Sequence, residues 1–276
     1  MRLALPFPAL DDRAQLFAFC APIAAINAMA VLIGQAIDEQ GTVNAVFSLA
    51  GISAVFWFAL YAVIAIAREE GSAPLRPRDR MVALLTLGGA LLPYPIAGSL
   101  AVLASGTWLA LTGAPGSRER RIAVILLALT GTLLWGRILL QLFAPLMLGL
   151  DAQMVGWLAG TRVVGNTVTF VGSSEQFTIA HLCSSFHNIS LAIILWAAAT
   201  QLLGLRIDAK LCLICLAGVV AMASVNCLRL ATLAWHPRDF DYWHVGAGAG
   251  WFGWASLAAG ALVIGGGLLV ARGTRH

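Results

Sequence analysis

The sequence predicts an all-α polytopic membrane protein of about eight transmembrane helices, with a small extracytoplasmic extended (β) element ahead of Cys183. Three observations predict it. Hydrophobic types fill 60% of the 276 positions and charged types only 11%, against roughly 25% in a soluble domain whose surface faces water. Mean hydropathy is +0.86. The charges that remain sit between long apolar runs. At about 20 residues per span, the length holds a single integral membrane domain over residues 1–276 and little besides.

The elements follow in order. Arg2 and Arg13 flank a short apolar run with Pro6, Pro8 and no convincing cleavage site, so the first helix is expected to be retained. Apolar runs over 16–37, 46–67, 81–92, 96–112, 122–143, 186–205, 211–234 and 245–270 read as spans. Pro93 and Pro95 split the stretch 81–112 into two short helices, or into one kinked span with a re-entrant piece. Arg68, Arg76, Arg78 and Arg80 mark one loop, and Arg118, Arg120 and Arg121 the next. Both loops belong on the cytoplasmic side, which requires an even number of crossings between them and favours two short spans. Asp38 and Glu39 then fall in an outer loop, Arg206 and Lys210 in a cytoplasmic turn, and Arg272 and Arg275 in a cytoplasmic C-terminus. Of the 17 basic residues, only Arg137, Arg162, Arg229 and Arg238 depart from this pattern. The expected location is the cytoplasmic (inner) membrane, multi-pass, with both termini inside. The net charge of +4 follows from membrane anchoring and does not call for nucleic acid.

One long segment, 144–185, is expected on the extracytoplasmic side. Its apolar first part is interrupted by Asp151 and reads as an interfacial helix. Beyond it, Val163, Val164, Val168, Phe170 and Val171 favour extended chain, and Gly165-Asn166 and Gly172-Ser173 read as turns. A two-stranded element there would deliver His181 and Cys183 to the next helix. The loop 236–244 is short and polar.

The five cysteines are odd in number, and four lie in apolar runs, which argues against a disulfide framework. Cys183 lies outside any strong span. Topology puts Cys183, Arg229 and His244 at one membrane depth on the outer face. A thiolate, a histidine base and an arginine to hold an oxyanion or a carboxylate make an acyl-transfer centre. A helix N-terminus favours a thiolate, and arginine keeps its charge in a poorly hydrated site. Each residue also has a structural explanation: a packed thiol, an arginine snorkelling to headgroups, a histidine in an interfacial belt with Tyr242 and Trp243. His181 shares a face with Cys183 if the segment is extended, and His187 does so if it is helical. With His236, His244 and Asp239 or Asp241 these histidines also fit zinc, although no compact ligand spacing such as HExxH occurs. No metal and no cofactor is expected. Cys212 and Cys215 imitate a redox motif but lie at the cytoplasmic end of their helix, where packing explains them.

The stretches GNTVTF…FTIAHLCSSFHNISLAIILWAA, VNCLRLATLAW and WHVGAGAGWFGW resemble the exosortase/archaeosortase family, polytopic sorting enzymes of bacteria and archaea. The family pattern is a Cys-Ser-Gly element at a helix start, an Asn-x-x-Arg element near the outer end of the following helix, and a downstream His before a Gly-rich helix. Cys183-Ser184, Asn226 with Arg229, and His244 with Gly248 match it within residues 165–254. Ser185 stands where the family has glycine. The resemblance implies a cysteine protease or transpeptidase that cleaves C-terminal sorting signals on the outer side of the cytoplasmic membrane. Cys183, Arg229 and His244 would be catalytic, with Asn226, Ser184, His181 and His187 in support. The implied partners are secreted proteins ending in a motif, a membrane helix and a basic tail, with an amine of a lipid or glycan as candidate acceptor. Two other classes fit the composition: a small transporter or channel using Arg137, Arg229 and Asp151, or a non-catalytic component of an envelope export or polysaccharide complex.

Overall fold

In a computed structural model, residues 12–71 and 73–273 are described. Arg2, Arg275 and the proline-bearing N-terminal run lie outside them. The helices are α1 (Arg13–Ala28), α2 (Ala30–Gln40), α3 (Thr42–Phe47), α4 (Ala54–Ala67), α5 (Pro77–Leu91), α6 (Pro95–Thr112), α7 (Arg118–Thr130), α8 (Gly136–Ala159), α9 (Ser185–Leu202), α10 (Ala209–Trp235), α11 (Phe240–His244), α12 (Ala247–Gly260) and α13 (Gly266–Gly273). π-helical turns at Gly131–Trp135 and Ala261–Gly265 join α7 to α8 and α12 to α13.

The chain is a multi-spanning membrane protein, but the expectation of eight spans is overturned. Among the described residues four helical runs are long and apolar enough to cross a membrane: Pro95–Thr112, Arg118–Ala159, Ala209–Trp235 and Ala247–Gly273. A fifth counts if α1 and α2, bent by 59°, form one broken span. The physical reason is that an apolar run is not an unbroken helix. The run 16–37 breaks at Met29. The run 46–67 breaks where Leu49 and Ala50 take φ of +54°, which leaves α4 with 14 residues. At 1.5 Å per residue α4 reaches about 21 Å, short of the roughly 30 Å hydrocarbon core. The helix α9 carries His187, Asn188 and Gln201 and is not among the four.

The chain divides into two compact units. The first comprises Met1–Leu134 and Ala197–Arg206. Its core is built from Phe17, Phe56, Ile66, Leu109, Ile122 and Leu126, all fully buried. Gly98 lets α6 close on α1, since a Cβ there would stand 2.5 Å from the Ala24 carbonyl oxygen. One end of this unit is polar. Arg13 Nε pairs with Asp79 Oδ1 at 2.9 Å, and Trp108 Nε1 donates to the same oxygen at 2.7 Å. Arg118 donates to Asp12 at 2.7 Å and to the Glu69 carbonyl at 2.8 Å. These bonds bring the starts of α1, α5 and α7 and the loop after α4 to one end.

Asp12 caps α1. Burial raises its carboxyl pKa, but hydrogen bonds from the Ala73 and Gln15 amides and from Arg118 outweigh it and hold the group below the usual value. A depressed folded pKa contributes stability above the unfolded value of about 3.9, and that stability is lost as pH falls through the folded value. Thermal melting of the micelle-solubilised protein is therefore expected to weaken on acidification below about pH 4. Asp12→Asn is expected to lower the neutral-pH melting temperature and to remove part of that acid sensitivity. A variant whose acid profile matched the parent's would contradict the assignment.

The second unit comprises Trp135–Trp196 and Ile207–His276. Its longest helix, α10, packs on α12 and α13 through glycines. A Cβ on Gly260 would stand 2.6 Å from Met222 Sδ, and one on Gly267 2.9 Å from Ile214 Cγ2. The expected two-stranded element is instead an open three-stranded antiparallel meander. Its strands are β1 (Val163–Val164), β2 (Thr167–Thr169) and β3 (Gln176–Thr178), in that order. Val164 pairs with Thr167 around Gly165, whose φ is +62°, a conformation that costs glycine little. Val168 pairs with Phe177 on the buried face. The third strand is polar on both exposed positions, so it carries no hydrophobic signal. The helix α8 is kinked at Phe143 (φ −122°, ψ 20°), just before Pro145, which sets residues 144–159 off as a separate segment.

Candidate active site

The site lies wholly within the second unit and rests on an apolar cluster. Leu148, Ala152 and Val155 of α8 pack with Val168, Phe170 and Phe177 of the sheet and Leu230 and Leu233 of α10. Residues 181–183 form one 3-10 turn, and α9 starts two residues later. Cys183 is 9% exposed. Its Sγ stands 3.3 Å from His244 Nε2, which is within reach for proton transfer between a thiol and an imidazole. These residues are 61 apart in sequence. His244 closes α11. Its ring lies 5.0 Å from that of Phe240. The Phe240 ring in turn meets Phe170 at 5.9 Å and Phe177 at 5.8 Å, so the sheet supports the imidazole through an aromatic stack. The Val171 amide donates to the Ala234 carbonyl at 2.9 Å and ties the sheet to the end of α10.

Asn226 donates to the Cys183 carbonyl at 2.9 Å and to Ser185 Oγ at 3.2 Å. Ser185 therefore fills the expected glycine position with a hydroxyl that is hydrogen-bonded and buried. Ser184 Oγ donates to Asp151 Oδ2 at 2.8 Å, and the Ser185 amide donates to the same oxygen at 2.9 Å. In the sequence Asp151 stands out as an interruption of an apolar run and as a pathway group of the transporter alternative, not as a partner of Cys183. That interruption was the available signal, because a lone carboxylate in such a run needs a buried donor set.

Arg229 lies on α10, partly buried, and its Nε is buried without a hydrogen-bond partner. No hydrogen bond joins it to Cys183 or His244 among the described residues. Its charge acts on His187 in the first turn of α9. Loss of hydration and then the Arg229 guanidinium hold the His187 imidazole below its ordinary range, although part of its side chain is open to the surface. His181 is exposed and its side chain makes no hydrogen bond to Cys183. His236 Nδ1 lies against the Thr232 carbonyl at 3.1 Å. Among the described residues no group of three or more His, Cys, Asp or Glu is placed to hold a metal ion. Cys212 and Cys215 lie toward the opposite end of α10. Arg229 is 17 positions beyond Cys212, about 26 Å along the helix axis.

Gly156 of α8 abuts β1, where a Cβ would overlap Val163 Cγ2 and press on the Thr161 carbonyl. Gly156→Ala is expected to destabilise the sheet–α8 contact by about 1–3 kcal/mol, the usual cost of overpacking. Increased proteolysis within 160–180, measured by mass spectrometry, checks it. A cleavage rate equal to the parent's would contradict it.

No family model, curated protein or solved structure matches the chain.

Proposed function

We propose that this protein is a membrane cysteine peptidase or transpeptidase, of the exosortase kind, that cleaves C-terminal membrane-anchored sorting signals. The observation that carries the proposal is the 3.3 Å approach of Cys183 Sγ to His244 Nε2. Cys183 attacks the scissile carbonyl and His244 accepts the thiol proton. The carbonyl becomes an oxyanion, and collapse expels the amine, which takes the proton from His244. The thioester that remains on Cys183 passes its acyl group to water, giving a carboxylic acid, or to an amine of a lipid or glycan, giving an amide.

Donor accounting supports a role for Arg229. The Cys183 amide donates to Ala180, the Ser184 amide to His181 and the Ser185 amide to Asp151, and the Asn226 side-chain amide is likewise engaged. On α10, three residues beyond Asn226, Arg229 Nε is a buried donor without a partner among the described residues, the kind of group that stabilises an oxyanion. The site is assigned to the extracytoplasmic face of the cytoplasmic membrane. In support, Lys210 starts α10 and Arg272 lies near the end of α13, both remote from Cys183 along their helices, and basic residues favour the cytoplasmic side.

The test is co-expression with a secreted protein carrying a motif, helix and basic tail at its C-terminus. Processing by the parent and its loss in Cys183→Ala, Arg229→Ala and His244→Ala is the expected result. Undiminished processing by all three variants, each present in the membrane at parental level, would sink the proposal.

A further inference from the structure

We propose that Asp151 is a positioning residue for the Cys183 thiol, holding the turn that carries it from the neighbouring helix α8. This rests on the cysteine–histidine reading of the site. Asp151 is 8% exposed, and a carboxylate so placed needs strong compensation. It receives two bonds on one oxygen, from Ser184 Oγ and the Ser185 amide, and it stands at the amino end of the 18-residue helix α9, where the dipole favours negative charge.

The two bonds do more than satisfy the carboxylate. Ser184 Oγ also accepts from the Phe186 amide at 3.2 Å, so one hydroxyl couples Asp151 to the first turn of α9. On the other side Asn226 of α10 grips the Cys183 carbonyl and Ser185 Oγ. The peptide of Cys183 is thereby fixed from α8 and α10 together, while its side chain reaches toward α11. A helix cap alone would need only the Ser184 hydroxyl. The carboxylate adds a tether to a third element, and a displacement of about 1 Å is enough to forfeit a productive approach.

The distinguishing measurement is the alkylation rate of Cys183 in native membranes with iodoacetamide, read at the Cys183 peptide by mass spectrometry between pH 6 and 9. His244→Ala is expected to slow the neutral-pH rate about tenfold and to shift the profile toward higher pH. Asp151→Ala is expected to produce the same shift, and the double variant is expected to be no slower than either single. Asp151→Asn keeps an oxygen acceptor in place and is expected to restore the parental profile within about twofold. A structural role alone would not predict rescue by asparagine together with non-additivity toward His244. If His244→Ala slows alkylation and Asp151→Ala does not, the positioning role is overturned and the cysteine–histidine pair stands. If His244→Ala has no effect, the pair itself fails. Should Asp151→Ala not accumulate, Ser184→Ala removes one of the two tethers. A fall of about threefold is then expected, and an unchanged rate overturns the proposal.

Discussion

Replacing Cys183 by alanine is expected to leave the precursor of a co-expressed sorting substrate intact in the membrane, with no detectable cleavage. Of the other thiols in the second unit, Cys227 lies behind Ser185 at 3.6 Å and Cys212 and Cys215 sit toward the far end of α10, so none of these stands in for Cys183 in the proposed attack. The parent is expected to form a thioester on Cys183 that hydroxylamine releases. His244→Ala is expected to form that intermediate about 10²–10⁴-fold more slowly, the range lost with a positioned general base. Arg229→Ala should cost about 10²–10³-fold, as removal of an oxyanion donor does. Arg229→Lys should recover only part of this loss, since an ammonium cannot reproduce the geometry of a guanidinium fork. Rates are read by quench and mass spectrometry of the Cys183 peptide. An intermediate forming at parental rate in His244→Ala would separate the 3.3 Å contact from catalysis.

The second large effect concerns stability. Asp79→Ala is expected to destabilise the first unit by about 3–5 kcal/mol, the cost of breaking a buried pair from one side. Arg13 and Asp79 are 3% and 0% exposed. Removing the carboxylate strands the Arg13 guanidinium, the Trp108 indole N–H and the Arg76 amide, which donates to Asp79 Oδ2 at 2.8 Å. Arg13 would keep its bonds to Thr112, which bring no opposite charge. Asp79→Asn retains an acceptor and should cost less. Replacing both partners with apolar residues of similar volume should recover much of the loss. Melting in detergent micelles measures all three, and an Asp79→Ala shift as small as that of a surface substitution would contradict the account.

The parts of the fold that were legible are those where composition and geometry coincide. The run 211–234 became α10 and the run 245–270 became α12 and α13, because charge bounds both and glycines inside them serve close packing rather than breaks. The kink of α8 lies at Phe143, two residues before Pro145, and was not read from the sequence. The breaks at Met29 and at Leu49 and Ala50 carry no proline, and in the second case only Gly51, with φ of +69°, marks the corner. No window of hydropathy detects such breaks. Two turns were read in 163–180, yet two strands were counted, because Gln176 and Thr178 look like loop. At the site, Cys183 and His244 were legible as residues sharing a face, since chemistry-bearing side chains are conspicuous among apolar ones. Asp151 and Phe240 act on them through contacts across the fold, and spacing along the chain says nothing of such contacts.

The aromatic support of His244 also sets a timetable. Cys183 leaves the ribosome 61 residues before its partner, roughly 3–12 s at ordinary rates of synthesis. Until residue 244 is made, the base that the proposed mechanism pairs with the thiol does not exist, and the Phe240 ring that steadies it precedes it by only four residues. Under the proposed mechanism the nascent chain therefore lacks its cysteine–histidine pair while it is threaded into the lipid bilayer. In the proposed mechanism the cysteine–histidine pair is complete only once α11 is made and the Phe240 ring meets Phe170 and Phe177, so a chain ending before α11 would lack the proposed base.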